Sequence, residues 1–250
     1  MTAERGARTA VVTGGTRGVG LAVARRLCAD HDEVLLVYGH SDDDAEQAVK
    51  ELAQLPGSAH AVRADLTQEG AVRTVLDEAR ERWGGLDLFV HCAADWHPGP
   101  ALGARAEGVR ADVAMAVEPL LAAAPLLKDL MAGRPGRIVA VSSTGARRVI
   151  NHYVGLGIAK AALESLVRYL AVEMAPLGIA VNAVSTAKLD KGPDTAGPPE
   201  VAAALARRTP AGRLTTPQDI AGVVSLLCHP DAGWIHGQVI TADGGLSLPA

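Results

Sequence analysis

A phenol and an ammonium group lie seven residues apart in Tyr153-Val-Gly-Leu-Gly-Ile-Ala-Lys160. On an α-helix that interval is just under two turns, so Tyr153 and Lys160 would share one face. A phenol held there can donate to an oxygen that gains charge in a transition state, and a cation beside it favours its charged or hydrogen-bonding form. Ser143 follows the apolar run Arg137–Ser142 and offers a second hydroxyl donor, with Ser142 as the alternative register. A Ser at a strand end also serves as a turn or helix cap. Towards the other end of the chain, Val11-Val-Thr-Gly-Gly-Thr-Arg-Gly-Val-Gly20 leads from an apolar stretch into a helical pattern. Gly14 suits a tight turn, and Gly18 and Gly20 allow close approach of backbone to a pyrophosphate and of helix to strand. The helix start then offers free N–H donors and a positive dipole end to phosphates.

These groups need a scaffold. Val- and Ile-rich runs recur at Thr9–Thr13, Glu33–Tyr38, His60–Ala64, Leu86–His91, Arg137–Ser142, Ile179–Val184 and Gln238–Thr241. Stretches with helical apolar spacing separate most of them, among them Gly18–Ala29, Asp43–Leu55 and Gln68–Trp83. That alternation predicts βαβ units: an α/β fold whose doubly wound parallel sheet has about seven strands and helices on both faces. Near-continuous apolar strands such as Val34–Val37 fit burial on both sides. Aromatic residues make up only 3% of the chain, so the core must be built from Ala, Val and Leu. The Pro- and Gly-rich stretch Lys188–Pro199 precedes a short helix, Glu200–Arg208. Too little chain follows for a second core, so residues 1–250 read as one domain carrying a short lid at about 186–212. The long Ala/Leu helices Val113–Met131 and Ala159–Glu173 are apolar beyond one face and would bury a second side.

Composition narrows the function classes. With 48% hydrophobic and 21% charged residues the chain is of ordinary globular type rather than disordered. A net charge of −4 argues against nucleic acid as a partner. Cys28, Cys92 and Cys228 are widely spaced and odd in number, which predicts no disulfide framework, no metal site and a reducing, cytoplasmic setting. No apolar run reaches the ~18 residues of a membrane span, and the polar stretch Met1–Arg8 has no signal core. Cys92 reads as a small apolar filler rather than a nucleophile. His152 reads as structural or solvent-facing.

Thr13-Gly-Gly-Thr-Arg-Gly-Val-Gly20 resembles the T-G-x-x-x-G-x-G motif of the short-chain dehydrogenase/reductase family. The likeness covers nearly the whole chain. Ala64-Asp65-Leu66 looks like the family's adenine-contacting pair, and Gly136–Ser143 like its catalytic-serine strand. Pro210–Arg213, Pro217–Ile220 and Gly237–Gly245 look like its C-terminal half. The resemblance implies a one-domain Rossmann fold, nicotinamide chemistry, and pairing of the two long helices into homodimers or homotetramers. It implies catalytic roles for Tyr153, Lys160 and Ser143, with Lys160 on the nicotinamide ribose. Cofactor contacts fall to Gly14, Thr16, Arg17, Gly18, Val19, Gly20, His40, Ser41, Asp65, Leu66, Cys92, Ala93, Ala94, Lys160, Thr186, Leu189 and Lys191. The second strand ends Tyr38-Gly-His-Ser-Asp42, without the acid that the family's NAD enzymes carry there. Arg17 sits in the glycine loop, so NADPH is expected over NADH, although Asp42–Asp44 add opposing charge.

The family usually places its tyrosine four residues before its lysine, but position 156 here is Leu. Tyr-x6-Lys is the spacing of divergent members that act as enoyl-acyl-carrier-protein reductases, and the surrounding text looks most like the NADPH-dependent type III group. The chemistry fits. Hydride addition to the β-carbon of an enoyl thioester sends charge to the carbonyl oxygen, so the oxyanion donor must sit further from the nicotinamide than in carbonyl reduction. On a helix the displacement is about 4.5 Å.

Other family features are missing. The usual Asn-Asn-Ala-Gly reads His91-Cys92-Ala93-Ala94, and the Asn of the following helix is absent, with Ala116 in the best register; the whole chain has only Asn151 and Asn182. The usual Pro-Gly-x-Ile-x-Thr reads Thr186-Ala-Lys-Leu189-Asp-Lys191, in which Lys191 is a donor able to reach a phosphate. Trp96, in Asp95–Pro100, would flank the nicotinamide and either contact substrate or pack. The expected function is NAD(P)H-dependent reduction of an enoyl group carried as a thioester on acyl-carrier protein or coenzyme A. The alternatives are a ketoreductase in which Tyr153 protonates a polyketide-like carbonyl, and a cofactor-binding scaffold that no longer turns over. Five Lys against 19 Arg is the composition of a high-GC genome and makes a specialised-metabolism substrate credible.

Overall fold

Strands β1 (Thr9–Thr13), β2 (Glu33–Tyr38), β3 (Ser58–Arg63), β4 (Leu88–His91), β5 (Arg137–Ser143), β6 (Ala180–Thr186) and β7 (Val239–Thr241) form one sheet in the order β3-β2-β1-β4-β5-β6-β7. All neighbouring pairs are parallel. The computed structural model describes residues 7–192, 195 and 197–248. Most of the Met1–Arg8 stretch and three positions of the 188–199 segment (193, 194 and 196) lie outside the described residues. Among the described residues no helix is long and apolar enough to cross a membrane.

Parallel pairing needs crossover helices, and these cover both faces. Helices α3 (Ala71–Trp83), α4 (Ala106–Leu130) and α5 (Val154–Met174) pack with Val11, Leu35, Val37, Phe89 and Ile138 on one face. On the other face α1 (Gly18–Ala29), α2 (Asp42–Leu52) and α7 (Pro217–Cys228) pack with Ala10, Val12, Val34, Leu36 and Val90. Alternate residues of one strand thus serve opposite cores, which is why these strands are apolar throughout. Helix α6 (Pro199–Arg208) follows the 188–199 segment and buries none of its residues.

The strand order reverses between β1 and β4. Their carboxyl ends diverge into a crevice, the usual ligand position of an open α/β sheet. The starts of the two long helices differ from the sequence reading. Helix α4 begins at Ala106 rather than Val113, and α5 begins at Val154 rather than Ala159. Tyr153 therefore precedes α5 as its N-cap residue, at φ −123° and ψ 14°, instead of lying within the helix. The cause is His152, whose φ of 57° is left-handed and ends helical continuity on that side.

Candidate active site

The loop after β1 is shaped by glycines with different tasks. Gly14 has φ +62°, and a Cβ there would come within 3.1 Å of the Ala93 backbone, so it lets the β1 and β4 loops touch. A Cβ on Gly20 would meet the Gly14 carbonyl at 2.1 Å, so it seats α1 against the loop. Gly18, at φ +55°, faces open space apart from the Lys191 Nζ at 4.0 Å. No internal packing requires its bareness. Arg17 is exposed and provides no side-chain cap for α1, whose first turn holds no acidic residue. Uncapped N–H groups, a positive dipole end and the Lys191 ammonium converge there, as a diphosphate requires. Thr16 is buried beneath this turn, and Val19 packs against the core.

One hydroxyl ties β1 to β4. The Thr13 Oγ1 accepts from the backbone N–H of Cys92 at 3.1 Å and of Ala93 at 3.2 Å. Its own proton must then go to the Nδ1 of His91, 2.9 Å away. That leaves the His91 proton on Nε2, which faces the backbone of Met115 and Ala116 on α4. Complete burial holds this imidazole neutral, its pKa pushed down to about 3, with the Lys160 charge adding to the effect. Desolvation pushes the Cys92 thiol up to about 12, which rules it out as a nucleophile at neutral pH. Ala94 is exposed at the crevice.

At the end of β5 the two serines part. Ser142 Oγ donates to Glu164 at 2.8 Å, a buried carboxylate that also accepts from Arg147 Nε at 2.9 Å. Ser143 accepts from Gly145 N–H at 3.2 Å, and its hydroxyl lies close enough to the Tyr153 phenol to draw its pKa down. One edge of the phenol ring abuts Gly145, where a Cβ would fall 2.6 Å from its Cε1. Burial raises the Tyr153 pKa, Ser143 draws it down and the Asp112 charge raises it again, so the phenol stays protonated and able to donate. Lys160 is buried and donates to the Val141 carbonyl at 2.8 Å. β4 stops opposite Ala140, which leaves the end of β5 without a neighbour on that side. Desolvation lowers the Lys160 pKa to about 8. Tyr153 and Lys160 therefore both address the last residues of β5, although only Lys160 is in the helix.

The remaining sequence-derived positions divide. Thr186 ends β6 in register with Ser143, and its buried hydroxyl has no hydrogen-bond partner among the described residues. An orphaned donor beside the Tyr153–Ser143 pair fits a polar ligand such as a carboxamide. Leu189 is bridged to Thr215 and packs against the core, while Lys191 is exposed. Ser41 spends its oxygen capping α2 through Asp44 N–H at 3.1 Å and keeps its own proton to donate. His40 is exposed. Asp65 is engaged locally by the Thr67 N–H and hydroxyl at 3.0 and 2.7 Å, which hold its carboxyl below the usual range. Leu66 packs its side chain into the core with Val37 and Val72. Sequence reasoning missed Arg63, which sits on β3 opposite Tyr38 and pairs with Asp42 at 3.2 Å. It neutralises an acid counted above against a phosphate-bearing ribose. Only strand register, invisible in one sequence, places it there.

The fold and this crevice define an oxidoreductase with a dinucleotide-binding sheet. The family model described as "Enoyl-(Acyl carrier protein) reductase" matches residues 14–247. The chain belongs to this branch of the short-chain dehydrogenase/reductase family. It is 36% identical over 254 residues to 1-cyclohexenylcarbonyl-CoA reductase of Streptomyces collinus, covering 100% of this chain and 90% of that protein. It is 30% identical to the enoyl-[acyl-carrier-protein] reductase [NADH] FabI of Aquifex aeolicus, covering 96% of this chain and 92% of the relative. A short-chain dehydrogenase of Burkholderia cenocepacia solved in complex with NADP superposes with a TM-score of 0.87 at 31% identity, covering 96% of this chain and 97% of the other.

Proposed function

We propose that the protein reduces the C=C bond of an enoyl thioester with NADPH. The observation that carries this reading is the seat of Tyr153. It caps α5 one turn ahead of position 156, beside Ser143, while Lys160 lies buried at the end of β5. A reduced nicotinamide dinucleotide, when bound, supplies a hydride. The chain's own groups do the rest. Tyr153 and Ser143 donate to the thioester oxygen as it gains charge, which can supply several kcal/mol. Lys160 binds ribose hydroxyls and adds positive potential near the phenol. The α1 N-terminus and Lys191 hold the diphosphate, and Thr186 receives the carboxamide. The Streptomyces and Aquifex relatives, a 1-cyclohexenylcarbonyl-CoA reductase and an enoyl-[acyl-carrier-protein] reductase, support the substrate class.

NADPH rather than NADH is favoured by Arg17 and by Arg63, which offsets Asp42, at the end of β2. The Aquifex relative carries NADH in its name, so cofactor choice rests on these local charges. Outward apolar side chains on α4 and α5 (Leu121, Ile158, Tyr169 and Val172) support a homodimer or homotetramer. The three cysteines are free thiols, in keeping with a cytoplasmic setting. The test is parallel turnover of crotonyl-CoA and acetoacetyl-CoA, each with NADPH and with NADH. We expect crotonyl-CoA with NADPH to be fastest. Preferential reduction of acetoacetyl-CoA would make the protein a ketoreductase, and NADPH binding without turnover of either would make it a scaffold.

A further inference from the structure

Asp112, on α4, is fully removed from solvent. A buried carboxylate needs partners, and among the described residues the hydrogen bonds of this one come from His97 alone. The His97 backbone N–H lies 3.1 Å from Oδ1 and the His97 ring Nδ1 lies 2.8 Å from the same oxygen. An ionised carboxylate only accepts, so Nδ1 keeps its proton in both charge states of the ring and proton exchange is left to Nε2. The His97 side chain is 53% exposed, so the pair joins a sealed carboxylate to an accessible imidazole.

Two glycines make room for it. A Cβ on Gly108 would meet His97 Cβ at 2.9 Å and Cγ at 3.1 Å, and a Cβ on Gly155 would meet Asp112 Oδ2 at 2.5 Å. Gly155 lies two residues beyond Tyr153. The segment carrying His97 is pinned to the same place: Gly99 N–H donates to the His152 carbonyl at 3.1 Å, and Gly99 forms a bridge with Tyr153. The carboxylate that holds the imidazole thus also acts on the Tyr153 phenol, and the two segments are joined by backbone.

We propose that His97, oriented by Asp112, is the acid that delivers the proton of the reduction. The proposal rests on the enoyl-thioester reading above. As hydride from the reduced dinucleotide forms the new bond at the β-carbon, the C=C electron pair moves towards the thioester oxygen bonded by Tyr153. The α-carbon then takes a proton from His97 Nε2, directly or through one water. The N–H electron pair stays on nitrogen, and the neutral imidazole regains its proton from solvent. The groups acting on His97 are Asp112 and Glu107 on α4 and Asp95 on its own segment, with Tyr153 beyond Asp112; Glu107 is shared with Arg105 at 3.4 Å. The hydrogen bond to Asp112, then the three negative charges, hold the imidazole protonated above its usual 6.5. The acid is present below that raised value and is lost as pH climbs through it.

The test is His97→Gln, which keeps a donor for Asp112 but transfers no proton. We expect kcat on crotonyl-CoA to fall by about 10- to 100-fold. The Km and the NADPH Kd should stay within about twofold, the alkaline limb of the kcat profile should vanish, and free imidazole should restore part of the rate. Wild-type kcat with the limb intact overturns the proposal, as does a loss of NADPH affinity in step with kcat, which marks a merely pinning role. If the enzyme reduces acetoacetyl-CoA instead, the enoyl reading fails, and the same limb read on the ketone still decides whether His97 is the acid. A histidine side-chain NMR titration of the NADP-bound protein with butyryl-CoA needs no turnover: a shifted His97 resonance supports the proposal and an unmoved one overturns it.

Discussion

Replacing Thr13 by Val changes almost no volume but removes the hydroxyl that ties β1 to β4. Three hydrogen bonds go: from Cys92 N–H, from Ala93 N–H and to His91 Nδ1. Cys92 N–H keeps the Thr13 carbonyl at 3.2 Å, so two groups are orphaned, the half-buried Ala93 N–H and the fully buried His91 Nδ1 lone pair. A buried orphan costs about 1–3 kcal/mol, which puts the substitution at roughly 3 kcal/mol. That is a substantial part of the ~5–15 kcal/mol by which domains are stable, and corresponds to a fall of about 6–12 °C in Tm for a chain of this size. The assay is urea and thermal unfolding of Thr13→Val beside Thr13→Ser, at one protein concentration. Thr13→Ser keeps the hydroxyl and should recover most of the loss. The NADPH Kd of Thr13→Val should rise as well, because the Ala93 backbone borders Gly14. A Thr13→Val stability within about 0.5 kcal/mol of wild type, at unchanged m, would refute the hydrogen-bond assignment and with it the His91 tautomer.

Gly18→Ala and Gly20→Ala should separate ligand binding from folding. The first should fold with a loss of about 1–2 kcal/mol for its left-handed φ and raise the NADPH Kd at least tenfold, whereas the second should fail to give soluble protein because its Cβ meets the Gly14 carbonyl. Equal behaviour of the two variants would remove Gly18 from the phosphate site. Lys191→Ala should raise the NADPH Kd several-fold, with a shallower salt dependence by titration calorimetry, and an unchanged Kd would show that the ammonium near Gly18 does not meet a phosphate. Alkaline stability follows from the thiols. Burial raises Cys28 to about 11 and Cys92 and Cys228 to about 12 from the ordinary thiol value near 9.0, so above pH 9 the unfolded chain binds fewer protons and stability falls as pH rises. Denaturant midpoints from pH 8.5 to 11 should show a slope that weakens in Cys228→Ala, and no change in slope would contradict the burial of that thiol.

The sheet was legible because its strands are apolar on both faces, and β1, β2 and α1 fall where periodicity puts them. The glycine loop was legible because its chemistry is local. What escaped depends on tertiary contact. Helix α4 starts seven residues early because Gly108 and Asp112, weak helix signals in themselves, are placed to receive His97. The His97–Asp112 pair joins a loop to a helix across 15 residues, and no local pattern announces it. Tyr153 was read as helical because its spacing to Lys160 suits a helix, whereas the left-handed turn at His152 leaves it at the cap. The His91–Thr13 bond looked from sequence like a mere departure from Asn. In the fold it completes the bonding of the Thr13 hydroxyl that ties the β4 loop to β1.

The central claim is that the Tyr153 phenol donates to the substrate oxygen during reduction. Its most direct test is kcat of Tyr153→Phe at saturating crotonyl-CoA and NADPH, with the NADPH Kd measured by fluorescence on the same sample. A fall in kcat of about 10²- to 10³-fold at constant Kd is the predicted result. Turnover within twofold of wild type would contradict it and leave only a nucleotide-binding fold.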